Sequence, residues 1–90
     1  MADDTMQAKR AILAKVQDIA RQIGNDAGKL RFDQDIPASG VLDSAGLMEL
    51  MIWFEMEYGI AIPQEDLTLA NFGTIDAMYG YLARSGSGGA

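Results

Sequence analysis

The chain has 90 residues, a net charge of −6, 49 % apolar residues, and neither histidine nor cysteine. That length allows one small domain, and the apolar share is too high for a disordered chain. Missing His and Cys exclude disulfides, thiolate metal sites and Ser-His or Cys-His nucleophile pairs, while an acidic chain with few aromatics is a poor nucleic-acid binder.

The start, Met1-Ala2-Asp3-Asp4, is acidic and lacks the basic-then-apolar order of a signal peptide. No apolar run is long enough to span a membrane. The expectation is a soluble, cytoplasmic protein without membrane insertion. A first helix is predicted over about residues 5–23. Asp4 is its expected cap, with Gln7 as reciprocal partner. Ile12, Val16, Ile19 and Ile23 recur at helical spacing, flanked by Leu13 and Ala20. Arg10, Asp18 and Arg21 fall on the opposite side. Gly24 supplies the stop, and Asn25-Asp26 continue as turn residues.

Residues 25–42 read as a long connection with Gly28, Pro37 and Gly40. Loops of that length in small domains are often functional. Leu30, Phe32, Ile36, Val41 and Leu42 are expected to pin it to the core.

A second long helix starts at residue 43 or 44 and ends near Tyr58, with Gly59 as its stop. At ~100° per residue, Leu47, Leu50, Met51, Phe54 and Tyr58 fall within one sector of roughly 100°. Ala45, Met48, Ile52 and Met56 fall within a second sector, roughly 80° wide, on the far side. Glu49, Trp53 and Glu57 lie on one flank between them, Ser44 and Glu55 on the other. A helix apolar on both sides is either surrounded by core or presents one side to a partner. A domain of this size cannot surround it readily, although the 25–42 connection could cover the second side. If it does not, the methionine-rich stripe is a docking face.

Ile60-Ala61-Ile62-Pro63 is a short apolar link. Pro63 opens a brief helical piece with Gln64, Glu65 and Asp66. Leu67, Leu69 and Phe72 are expected core anchors. Thr74 caps a last helix carrying Ile75, Met78 and Leu82, weakened by Gly80. The predicted fold is all-α: a small four-helix bundle, three main helices plus a short one, with a long first loop. The expected division is a domain over 1–84 and a flexible tail over 85–90.

Ser44 stands at the mouth of the second long helix, directly after Asp43. A helix N-terminus offers unpaired N–H groups and a positive dipole end, which suit a phosphate. A serine there is ordinarily only a cap. The surrounding charge is uneven. Residues 1–31 hold six basic residues against four acidic ones, whereas residues 32–90 hold Arg84 alone against nine acidic ones. Partners approaching Ser44 are therefore expected to be basic there.

The order of residues around Ser44 resembles the acyl carrier proteins, including the peptidyl and aminoacyl carrier domains. Val41-Leu42-Asp43-Ser44 is similar to the family's approach to its Asp-Ser-Leu signature. Glu49-Leu50 falls where the family has Glu-Leu. Glu55-Met56-Glu57-Tyr58-Gly59-Ile60 is similar to the family's Glu-Glu-Glu-Phe-Gly-Ile ending. Ile62-Pro63, Asp66-Leu67, Asn71-Phe72, Thr74-Ile75 and Tyr81-Leu82 extend the likeness over residues 8–83. Ala45 departs from it, because the family most often has leucine there, at a position that helps dock partner enzymes. Gly46-Leu47-Met48-Glu49-Leu50 looks more like carriers of amino acids than like fatty-acid carriers.

The resemblance implies a carrier rather than an enzyme. Ser44, with Asp43 before it, would take 4′-phosphopantetheine from coenzyme A, moved by a phosphopantetheinyl transferase. The arm's thiol would hold an acyl or aminoacyl group as a thioester. An acyl- or amino-acid-activating ligase would load it, and an acyl-acceptor enzyme would receive it. Ala45, Met48, Glu49, Ile52 and Met56 would form the docking face of a phosphoprotein that is monomeric when free. The alternatives are a helical adaptor of the same fold that never receives the arm, a fatty-acyl or polyketide carrier, and a small enzyme using Asp33, Asp35 and Asp43.

Overall fold

A computed structural model of the chain describes residues 3–85. Helix α1 spans Asp3–Gln22 and buries Ile12, Val16, Ile19 and Ala20. It begins earlier than the sequence suggests, so Asp4 lies inside the helix and is not its cap. Gly24 ends it in the left-handed region, at φ 83°. Ile23 therefore leaves the helical stripe and is 42 % exposed rather than part of the core.

The connection after α1 contains an element that the sequence pattern did not indicate. Helix α2 is one turn, Ile36–Ser39. Asp35 caps it by accepting from the Ala38 N–H at 2.9 Å, and Pro37 fits its first turn because an N–H there would be unpaired anyway. Gly40 closes it at φ 76°. Leu30, Ile36 and Leu42 are buried, with Phe32 and Val41 partly buried against the same core. The connection is pinned as expected, on the core side of the bundle.

Helix α3 spans Ser44–Tyr58 and buries Gly46, Leu50 and Phe54. Leu47, Met51 and Tyr58 pack partly buried on the same core. A 3₁₀ turn, Gln64–Asp66, follows Pro63. One-turn helix α4, Leu69–Phe72, leads into α5, Ile75–Arg84. Thr68 and Thr74 cap these two by accepting from the Asn71 and Ala77 N–H groups. Phe72, Ile75 and Met78 are core residues, and Leu82 is half-buried against them. Leu67 and Leu69 are not anchors: they are 49 % and 66 % exposed. In such short turns one apolar side chain reaches the core, here Phe72, and its neighbours point outward.

The architecture is thus a small helical bundle with three main helices, α1, α3 and α5, plus short turns; no strand occurs among the described residues. Lys9 ties α1 to α5 through Asp76 at 2.8 Å. Aromatic contacts run through the middle, with Phe54 to Tyr58 at 5.1 Å, Phe54 to Phe72 at 5.9 Å and Phe72 to Tyr81 at 4.8 Å between centroids. The expected tail, 85–90, lies outside the described residues apart from Ser85. No described helix is long and apolar enough to cross a membrane.

Tyr81 holds the 3₁₀ turn to α5, its hydroxyl donating to Asp66 Oδ2 at 2.8 Å. That bond, then burial, raises the phenol above its ordinary 10.0. A raised folded-state value means that its stabilisation is full below the unfolded value. It is lost as pH rises through the folded one. Tyr81→Phe should therefore be less stable than the parent at neutral pH and lose less stability above pH ~10. Denaturant melts at pH 7 and in the alkaline range check this; parallel alkaline losses in the two proteins would remove the assignment.

Candidate functional site

The first turn of α3 is built around Asp43. Its carboxylate accepts from the Gly46 N–H at 2.7 Å, and its backbone oxygen accepts from the Leu47 N–H at 2.9 Å. Asp43 is the N-cap, and Ser44 is the first helical residue. The capping role that a serine would ordinarily fill is already taken. Ser44 is exposed.

Its hydroxyl differs from the others. Ser39 Oγ donates to the Ile36 carbonyl, and Ser85 Oγ to that of Leu82. Thr5 bonds Tyr79, and Thr68 and Thr74 are caps. Among the described residues, Ser44 alone of the serines and threonines has a hydroxyl without a hydrogen bond. It sits beside the orphan N–H groups of a helix start, where a phosphate is favoured.

Two residues that sequence reasoning passed over hold this turn in place. Gly46 is buried where α3 crosses α1. A Cβ there would meet Ile19 Cγ2 and Asp43 Oδ1 at 3.2 Å and Leu42 Cβ at 3.4 Å. Only hydrogen fits without a shift. A glycine in a helical first turn, against propensity, was the available signal. Asn25, read only as a turn residue, donates its side-chain N–H to the Val41 carbonyl at 3.0 Å. It ties the end of α1 to the approach toward Ser44.

Asp43→Ala should cost about 1 kcal/mol, read as a fall of roughly 4–8 °C in Tm, because the Gly46 N–H loses its partner. Asp43→Asn should recover most of it. Equal losses in both variants would show that charge, not capping, is what matters.

The far side of α3 is open. Met48, Ile52 and Met56 are 64 %, 51 % and 77 % exposed, and Ala45 and Glu49 are exposed beside them. The connection over 25–42 does not cover this stripe, because its own apolar residues are committed to the core. All seven site residues expected from the sequence, Asp43, Ser44, Ala45, Met48, Glu49, Ile52 and Met56, therefore lie on the solvent side of α3 or at its start. Leu47 and Met51 instead join Pro37, Leu67, Leu69 and Phe72 around an apolar cleft of about 230 Å³. It opens one turn from Ser44. Asp33, Asp35 and Asp43, the carboxylates of the enzyme alternative, have other roles: Asp33 pairs with Arg31, and Asp35 and Asp43 are caps.

The model of one protein family, described as the phosphopantetheine attachment site, matches residues 11–82. No curated protein and no solved structure matches the chain.

Proposed function

The chain belongs to the phosphopantetheine-attachment family of carrier proteins, and from that premise we propose that Ser44 is the attachment residue and that the cargo is an aminoacyl group. The family takes 4′-phosphopantetheine covalently and works with phosphopantetheinyl transferases and acyl-processing enzymes. The observation that carries the assignment to Ser44 is its free, exposed hydroxyl at the start of α3, with Asp43 doing the capping. Attachment makes a bond from Ser44 Oγ to the pantetheine phosphorus as coenzyme A loses its nucleotide portion. The serine proton goes to the transferase, so this chain needs no base of its own. When bound, the arm supplies a thiol that holds an acyl group as a thioester, a function no cysteine-free chain performs alone. Orphan N–H groups at the α3 start favour the phosphodiester.

In this reading Ala45, Met48, Glu49, Ile52 and Met56 dock the enzymes that arm, load and unload the chain. The acidic surroundings select partners that are basic at the contact and speed their encounter. The protein works as a free monomer in the cytoplasm.

Aminoacyl cargo is supported by the filled interior. Phe54 and Phe72 occupy the core, with Tyr58 and Tyr81 packed against them, so a long acyl chain would have to displace aromatic rings. A short aminoacyl group can stay outside on the arm. Fatty-acyl cargo is the second reading, and the 230 Å³ apolar cleft beside α3 favours it. The armed protein should accept amino acids from an amino-acid-activating ligase and fatty acids poorly from a fatty-acyl ligase. Efficient fatty-acyl loading, with the chain shielded from solvent and no aminoacyl thioester formed, would overturn the choice of cargo.

A further inference from the structure

Ser44 stands between two points at which the chain is fastened to the C-terminal end of α1. The first lies ahead of it. Gly24 turns the chain back at φ 83°, and the Asn25 N–H donates to the Ala20 carbonyl at 2.8 Å, which fixes the Asn25 backbone against the last turns of the helix. From there the Asn25 carboxamide donates to the Val41 carbonyl at 3.0 Å and reaches that of Gly40 at 3.4 Å. The Val41 N–H donates to Ser39 Oγ at 3.3 Å, so Val41 is held at both of its backbone polar groups. The second point lies after Ser44, where Gly46 brings α3 against Ile19. Leu42 is buried between the two. Ile19 and Ala20 are neighbours in α1, so both fastenings reach the same part of one helix. They differ in kind. Gly46 is packed in the core, whereas Asn25 is exposed and acts through its carboxamide.

We propose that Asn25 is a positioning residue for arming: through the Val41 carbonyl it fixes the Leu42-Asp43-Ser44 turn, and with it the direction from which Ser44 Oγ meets coenzyme A. The proposal rests on Ser44 being the attachment residue. In that step Ser44 Oγ forms a bond to the phosphorus that bears pantetheine. The bond from that phosphorus to the bridging oxygen of the pyrophosphate breaks, adenosine bisphosphate leaves on that oxygen, and the serine proton passes to the transferase. Displacement at phosphorus needs the attacking oxygen in line with the leaving group, and an error of ~1 Å in position can cost ~10²-fold in rate. Among the described residues the Ser44 hydroxyl has no hydrogen bond to fix it. Its position is set by the backbone that carries it, and Asn25 holds that backbone on the side away from Gly46. Asn25 belongs to the connection after α1 and not to the exposed face of α3, so it acts on the chemical step and not on docking.

The test compares the full parent chain, Asn25→Ala, Asn25→Asp and a stability control, Ile75→Val, as substrates of a broad-specificity phosphopantetheinyl transferase with saturating coenzyme A. Asn25→Ala removes the donor. Asn25→Asp keeps the shape but turns an acceptor toward two carbonyls. Ile75→Val thins the core at α5 and touches neither fastening. Intact-mass time courses over a range of carrier concentrations separate kcat from KM. Asn25→Ala should lower kcat roughly three- to tenfold with KM unchanged, and Asn25→Asp at least as far. Ile75→Val should melt earlier yet arm at the parent kcat. Without transferase, amide exchange at Gly46 and Leu47, whose N–H groups close the first turn of α3 on Asp43, should quicken in both Asn25 variants. Exchange at Met78 in α5 should not. A raised KM with kcat intact would make Asn25 a docking residue. An equal fall in kcat for Ile75→Val would make the effect one of general stability. An unchanged kcat, or unchanged exchange at Gly46 and Leu47, would leave Asn25 a fastening of the connection alone. Each of these overturns the proposal. Peptide mapping of the armed parent keeps the two readings apart. Arming at a residue other than Ser44 would overturn the attachment assignment, whereas arming at Ser44 that Asn25→Ala does not slow would overturn the positioning role only.

Discussion

Ser44→Ala should fold like the parent protein and gain no mass when incubated with coenzyme A and a broad-specificity phosphopantetheinyl transferase. The parent should gain one phosphopantetheine. Both halves of the result follow from the first turn of α3. Among the described residues the Ser44 hydroxyl makes no hydrogen bond, and the Gly46 N–H is satisfied by Asp43 instead. Removing an exposed, unbonded hydroxyl changes stability by no more than ~0.5 kcal/mol. On the proposed assignment, the transferase loses its acceptor. Ser39 and Ser85 cannot replace it at no cost, because their hydroxyls are bonded to backbone carbonyls. Intact-mass spectrometry reads the outcome. Persistent modification of Ser44→Ala would falsify the assignment of the attachment site.

Phe54→Ala should be the most damaging single change in α3. Phe54 is fully buried and packs on Tyr58 and Phe72. Emptying that volume should cost about 3–5 kcal/mol. A domain of this size is stable by only roughly 5–15 kcal/mol, so the variant should melt far earlier or fail to fold. Met48→Glu and Ile52→Glu lie on the same helix and should do the opposite. Their side chains already face solvent, so helical circular dichroism and Tm should hold. Arming, loading or transfer rates should fall, because a carboxylate would replace the apolar contact. A cooperative loss of stability in either glutamate variant would instead make that residue structural. Unchanged rates in both would remove the stripe from the docking face.

Some of this was legible from residue order alone. The core face of α3 was, because helical periodicity assigns Leu50 and Phe54 to one side whatever they pack against. Its exposed face was legible only as an alternative. Whether the 25–42 connection covered Met48, Ile52 and Met56 depended on where Leu30, Ile36 and Leu42 were buried, and spacing cannot reveal that. Apolar character likewise misplaced Ile23, Leu67 and Leu69. Each lies next to a chain reversal, where a change of direction by one residue exchanges inside for outside.

The sequence by itself determined the helical class, the glycine stop of α1 and the Asp43–Ser44 start of α3. These depend on local rules: periodicity, capping and the φ > 0 tolerance of glycine. Only the tertiary structure decided that Asp43 rather than Ser44 is the cap and that, among the described residues, the Ser44 hydroxyl is left without a partner. It also decided that Gly46 is where α3 closes on α1. The reason is that each of these is a matter of distance between segments remote in the chain, or of which neighbour reaches a donor first, and neither is encoded in any one window of residues.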